Sequence, residues 1–66
     1  MELIINGDKK VLEDASTLSD LVGHYGMQDK MVVAEVDGEV VERDRWLATT
    51  LRDGMRIELV HFVGGG

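Results

Sequence analysis

Apolar positions in this chain repeat every second residue in some stretches and every three to four in one, and the switches divide it into elements. Leu3-Ile4-Ile5 is a short β-rich run ending on Asn6-Gly7-Asp8, residue types that take the positive φ of tight hairpin turns. A returning strand through Val11 follows. Leu18, Leu21, Val22 and Tyr25 are spaced i, i+3, i+4, i+7, which places them on one face of a helix. Thr17 stands at its N-cap, Asp20 in its charge-favoured first turn, and Gly26 at the position just past its end. Gly23, inside the helix at a cost of roughly 1 kcal/mol against Ala, reads as close packing or a loose last turn. Met31 to Val36 is a third strand, Asp37-Gly38 a strong turn, and Glu39 to Val41 the strand that closes a second hairpin. From Glu42 to Leu51 no period holds, which predicts a loop with one helical turn. Asp53-Gly54 then turns the chain into a last strand, Met55 to Phe62.

One helix with a single apolar stripe must bury it on one sheet, so these elements predict a two-layer α+β domain. The first and last strands can lie parallel at the centre of that sheet because a long connection separates them. Hairpin, helix, hairpin and central returning strand make the β-grasp, or ubiquitin-like, arrangement: a mixed sheet of about five strands over one main helix. Residues 1–63 are expected to form this domain, and Gly64, Gly65 and Gly66 a flexible tail. The expected inward residues are Leu3, Ile5, Val11, Leu18, Leu21, Val22, Val32, Ala34, Val36, Leu51, Ile57 and Leu59. Trp46 reads as an anchor in the core or at its edge.

Composition narrows the chemistry. At 66 residues there is no length for a buried catalytic cleft, and the chain has no cysteine, which removes disulfides, thiolate metal sites and thiol nucleophiles together. His24 and His61 are too few for a metal site, and no arrangement of nucleophile, base and pocket is visible, so an enzyme is not expected. A net charge of −6 repels phosphate backbones and excludes nucleic acid as a partner, while favouring a protein with a basic docking face. No apolar run is long enough to span a membrane. A soluble, cytoplasmic protein, monomeric when free and without a resident cofactor, is the expectation. Arg43 and Arg45 are expected to pair with Asp44 or Glu42 at the surface.

The candidate chemistry sits at the end of the sequence. Gly64-Gly65-Gly66 follow the most strand-like run, and residues without a Cβ let a partner's backbone approach closely. A carboxylate on such a tail can thread a narrow channel, with Gly66 reacting; an inert, frayed end or linker is the plain alternative. If Ile57 and Leu59 point inward, alternation turns Arg56, Glu58, Val60 and Phe62 outward. Val60 and Phe62 then form an apolar patch beside the tail, to which Val33 and Ile4 add area, Glu35 and Glu58 acidic contacts, and His61 a polar one.

Segments spread over the whole chain carry a resemblance. They are Thr17-Leu18, Val32-Val33-Ala34-Glu35-Val36-Asp37-Gly38, Val41-Glu42-Arg43 with Trp46 three positions on, Leu51-Arg52-Asp53-Gly54, and Val60-His61-Phe62-Val63-Gly64-Gly65-Gly66. Together they resemble the ThiS family of sulfur carriers in thiamin biosynthesis. Met55 departs from it where an acidic residue is common after Asp-Gly, and Leu12 where a proline is common. The resemblance implies that a ThiF-type adenylating enzyme uses ATP to convert the Gly66 carboxylate to an acyl-adenylate. Sulfur from a cysteine desulfurase then displaces AMP, and thiazole synthase receives the thiocarboxylate sulfur. Two other readings stand beside it: the small subunit of molybdopterin synthase or a ubiquitin-like modifier, and a β-grasp interaction module with an inert tail.

Overall fold

Two Asx-Gly turns lay out the sheet. Asn6 and Gly7 have φ of 50° and 85°, and Asp37 and Gly38 have 50° and 89°, so both central residues of each turn are left-handed. That twist matches two antiparallel strands joined by two residues. In the computed structural model, which describes residues 1–62, the first turn joins β1 (Glu2–Ile5) to β2 (Asp8–Val11), and the second joins β3 (Met31–Val36) to β4 (Glu39–Val41). The helix α1 (Leu18–His24) lies between the hairpins, a 3-10 turn at Arg43–Arg45 follows β4, and β5 (Arg56–Phe62) closes the sequence of elements. The five strands are ordered β2-β1-β5-β3-β4, with β5 parallel to β1 and antiparallel to β3. This is the expected β-grasp sheet, the last strand at its centre.

Helix α1 starts where Thr17 caps it. The Thr17 side chain accepts from the Asp20 N–H at 3.2 Å, and Asp20 Oδ2 accepts from the Thr17 and Ser16 N–H groups, each at 3.0 Å. Reciprocal bonding of this kind satisfies the orphan donors of a first turn. The long connection after β4 is tied to the helix entry, since Leu18 N–H donates to Thr49 C=O and Leu51 N–H to Ser16 C=O, both at 2.9 Å. Leu18, Leu21 and Val22 face the sheet, where Leu3, Ile5, Ala34, Ile57 and Leu59 are buried, and Trp46, Leu51 and Met55 close the side. Leu3, Leu18, Leu21, Val22 and Ile57 are the largest fully buried side chains. At roughly 2 kcal/mol each for burial, every one is a large fraction of a typical net stability of about 5–15 kcal/mol.

Four expectations need correction. Val11 is exposed, because its register opposite Glu2 puts it on the helix-free face; Leu12, one residue on, packs against the core instead. Val32 and Val36 are only partly buried, flanking the core. Nothing lies within 4 Å of where a Gly23 Cβ would stand, so close packing does not explain that glycine. Among the described residues Arg43 pairs with no carboxylate: it donates to the carbonyls of Gln28 and Lys30 at 3.1 and 2.6 Å and lies 4.7 Å from the Trp46 ring centroid. The ion pair among the described residues is Lys9–Glu2 at 3.9 Å, and it is exposed. Trp46 is buried as expected, its indole N–H donating to Val41 C=O at 2.9 Å.

Candidate functional site

Strand β5 alternates as the sequence predicts. Ile57 and Leu59 are buried, while Arg56, Glu58, Val60 and Phe62 face outward on the side away from α1. Pairing with β3 extends that face, with Val33 opposite Val60 and Met31 opposite Phe62. Val33, Val60, Phe62 and Met31 are 37%, 50%, 53% and 73% exposed. Together they make one contiguous exposed apolar strip, the kind of surface on which a partner can dock. Met31 was not among the expected members, although the alternation that turns Val33 outward turns Met31 outward too. Ile4 lies opposite Arg56 on the same face, four residues down β5 from Val60, which is about 13 Å at strand rise. It therefore does not join the patch.

Next to the patch the charge is negative. Glu35 and Glu58 face each other directly across β3 and β5, one residue pair below Val33 and Val60 on that face. Like charges opposite one another repel, and a cationic group on a docking partner would relieve that. His61, expected beside the patch, does not join it: it stands opposite Val32 and alternates with Val60 and Phe62, so its side chain points to the other face of the sheet. His61 and His24 are exposed, and no group of three or more His, Cys, Asp or Glu residues among the described residues is placed to hold a metal ion. An open groove of about 480 Å³ beside β4, lined by Val36, Glu39, Thr49, Arg52 and Met55 among others, brings together no nucleophile and base.

The parallel edge of β5 is held in an unusual way. Ile4 N–H donates to Met55 C=O at 3.0 Å and Asn6 N–H to Ile57 C=O at 2.9 Å, after which β1 has ended. The Asn6 side chain then takes up the next position: its Oδ1 accepts from Leu59 N–H at 2.9 Å and its Nδ2 donates to Leu59 C=O at 3.2 Å. Gly64, Gly65 and Gly66, the expected tail with its reacting residue, lie outside the described residues.

The sequence pattern of the ThiS family matches residues 2–66, which is the domain together with all three terminal glycines. The chain belongs to the ThiS family. It is 40% identical over 65 residues to the sulfur carrier protein ThiS of Bacillus subtilis, covering 97% of this chain and 98% of that one. A crystal structure of the thiamine biosynthesis protein ThiS from Geobacter metallireducens superposes with a TM-score of 0.80 at 35% identity, over the full length of both chains. A thiazole synthase of Paramagnetospirillum magneticum is 32% identical over the whole of this chain, which spans 20% of that longer protein. Both departures from the ThiS pattern have local structural reasons. Leu12 N–H donates to Met1 C=O at 2.9 Å, a bond proline could not make, and Met55 is buried in the core where a carboxylate would be costly.

Proposed function

We propose that this chain is a carrier of sulfur as a C-terminal thiocarboxylate on Gly66, activated by a ThiF-type adenylating enzyme and delivering to thiazole synthase. The observation that carries the reading is membership of the ThiS family over a match that runs through the terminal glycines. A carboxylate is a poor acyl donor until one oxygen becomes a good leaving group. Attack of a Gly66 carboxylate oxygen on the α-phosphate of ATP releases pyrophosphate and leaves an acyl-adenylate. The outer sulfur of a partner persulfide, charged through a cysteine desulfurase, then displaces AMP to give an acyl disulfide. A thiol attacks the partner's sulfur, which releases the Gly66 thiocarboxylate and leaves a disulfide on the partner side. Gly64 and Gly65 thread the partner's channel, and no cofactor stays bound to the carrier. The chemistry belongs to the partners, and the carrier contributes grip and reacting end.

Val60, Phe62 and Val33 supply the apolar docking area, with Glu58 at its border. Thiazole synthase as acceptor is supported by two proteins of that name, from Paramagnetospirillum magneticum and Magnetococcus marinus, in which a stretch similar to this whole chain forms a fifth of the polypeptide. Segments joined in one polypeptide meet at high effective concentration, an arrangement suited to a donor and its acceptor.

Intact-protein mass spectrometry tests the reading, after incubation with a ThiF-type enzyme, ATP and a sulfide source. The expected result is a mass gain equal to one oxygen replaced by sulfur, localised to Gly66 and absent when Gly66 is deleted. No gain, with an enzyme shown active on an established carrier, would replace this reading by that of an interaction module with an inert tail.

A further inference from the structure

Asn6 does more than make a turn. Its backbone, at φ 50°, has already left the line of β1. A strand that stopped there would leave the N–H and C=O of Leu59 facing nothing on that side. One side-chain amide meets both, across 53 positions of sequence and in a partly buried setting. The chemistry required is narrow. It needs one acceptor and one donor on a planar group short enough to reach from a left-handed turn residue, which Asn provides. Asp offers two oxygens, so one would face the Leu59 carbonyl. Gly adopts the backbone conformation readily and offers neither atom.

The location gives this bond its meaning. Met55, Ile57 and Leu59 all aim their backbone groups at the β1 side of β5. His61 is next in that series, and no hydrogen bond from its backbone toward the β1 side is found among the described residues. Asn6 is thus the last tie on that edge before the strand carries Val60 and Phe62 onward. Beyond it, pairing with β3 alone holds them.

We propose that Asn6 is a positioning residue for the carrier reaction. By extending the β1–β5 pairing to Leu59 with its side chain, it fixes the line along which β5 carries Val60 and Phe62 on beside β3. The proposal rests on the carrier reading for its reaction half and on the fold alone for its structural half.

The test compares the full-length chain with Asn6→Gly, Asn6→Asp and Thr17→Ala, the last removing a helix cap remote from β5 as a stability control. Amide hydrogen exchange by NMR is expected to show Leu59, Val60 and Phe62 exchanging about tenfold faster in Asn6→Gly, with Ile57 unchanged. In steady-state adenylation by a ThiF-type enzyme, read as pyrophosphate release, the KM for the carrier is expected to rise several-fold in both Asn6 variants. In Thr17→Ala it should stay at the wild-type value despite a similar fall in Tm. Faster exchange confined to Leu59, or a KM that tracks Tm in all three variants, would overturn the proposal. A wild-type chain that the enzyme does not adenylate would overturn the carrier reading and the reaction half with it, while the exchange data still decide the structural half.

Discussion

Val33 stands directly opposite Val60 in the β3–β5 pairing, and both side chains face the helix-free side of the sheet. Neither holds the core, so a lysine at position 60 should fold normally, within about 0.5 kcal/mol of the parent. Docking should suffer. The expected outcome for Val60→Lys is a KM for the carrier raised by about tenfold in adenylation assays, with an unchanged circular dichroism melt; this is the scale of losing one well-buried interface side chain.

Glu35 and Glu58 face each other one position pair further down the same face. Removing one charge should stabilise the free protein. For Glu58→Gln we expect a gain of about 0.5 kcal/mol in urea unfolding at low salt, shrinking at high ionic strength as screening takes over the same task. If Glu58 also meets a basic group on the activating enzyme, the same variant will bind more weakly, which separates stability from docking.

Asp20 links stability to pH in the acid range. Hydrogen bonds from the Ser16 backbone, the Thr17 backbone and the Ser16 hydroxyl hold its carboxyl below the ordinary Asp value. A folded-state value lower than the unfolded one stabilises the protein above the ordinary Asp pKa of about 3.9, and the stabilisation is lost as pH falls through the depressed value. Melting temperature followed from pH 6 downward should therefore fall less steeply in Asp20→Asn than in the parent across that acid window. Thr17→Ala, which removes the other half of the same cap, should cost about 1 kcal/mol at neutral pH.

Arg43 tests whether shape or charge matters beside β3. Its guanidinium reaches the carbonyls of Gln28 and Lys30 while lying against Trp46. Lysine keeps the charge but not the fork or the stacking plane. Arg43→Lys is expected to lower stability by about 1–2 kcal/mol in chemical denaturation, on the scale of hydrogen bonds from a charged donor. Its hydrogen exchange should rise around residues 28–30.

Gly65→Val tests the threading idea by chemistry rather than by stability. A branched side chain in a channel fitted to glycine should abolish adenylation while the melt stays that of the parent. Normal adenylate formation by this variant would show that the tail does not need to be narrow.

How much of this was legible follows from how local each signal is. Thr17, Leu18, Leu21 and Val22 fixed the helix because capping and a 3.6-residue period are written within one or two turns. The two Asx-Gly pairs fixed both hairpins for the same reason. The choice between Val11 and Leu12 was not local: it depends on pairing Val11 with Glu2, and a register shift of one residue changes the face of every side chain. Arg43 was misjudged because its acceptors are carbonyls 13 and 15 residues away, whereas Glu42 and Asp44 are neighbours in sequence. The β5 patch was legible by alternation, but Asn6 was read only as a turn former. Nothing near it in sequence points to Leu59, and only the closed sheet brings the two together.

The strand order has a consequence for synthesis. A ribosome makes β5 after the four strands it joins, yet β5 lies between β1 and β3 and is the central seam of the sheet. Until it emerges, the nascent chain consists of two hairpins with no strand between them, and the contacts that close the domain span nearly its whole length. Folding must then wait for translation to pass Phe62. A chain interrupted before β5 is left as two unjoined hairpins and carries neither Val60 nor Phe62, so it lacks at once the seam of the sheet and the outward apolar strip.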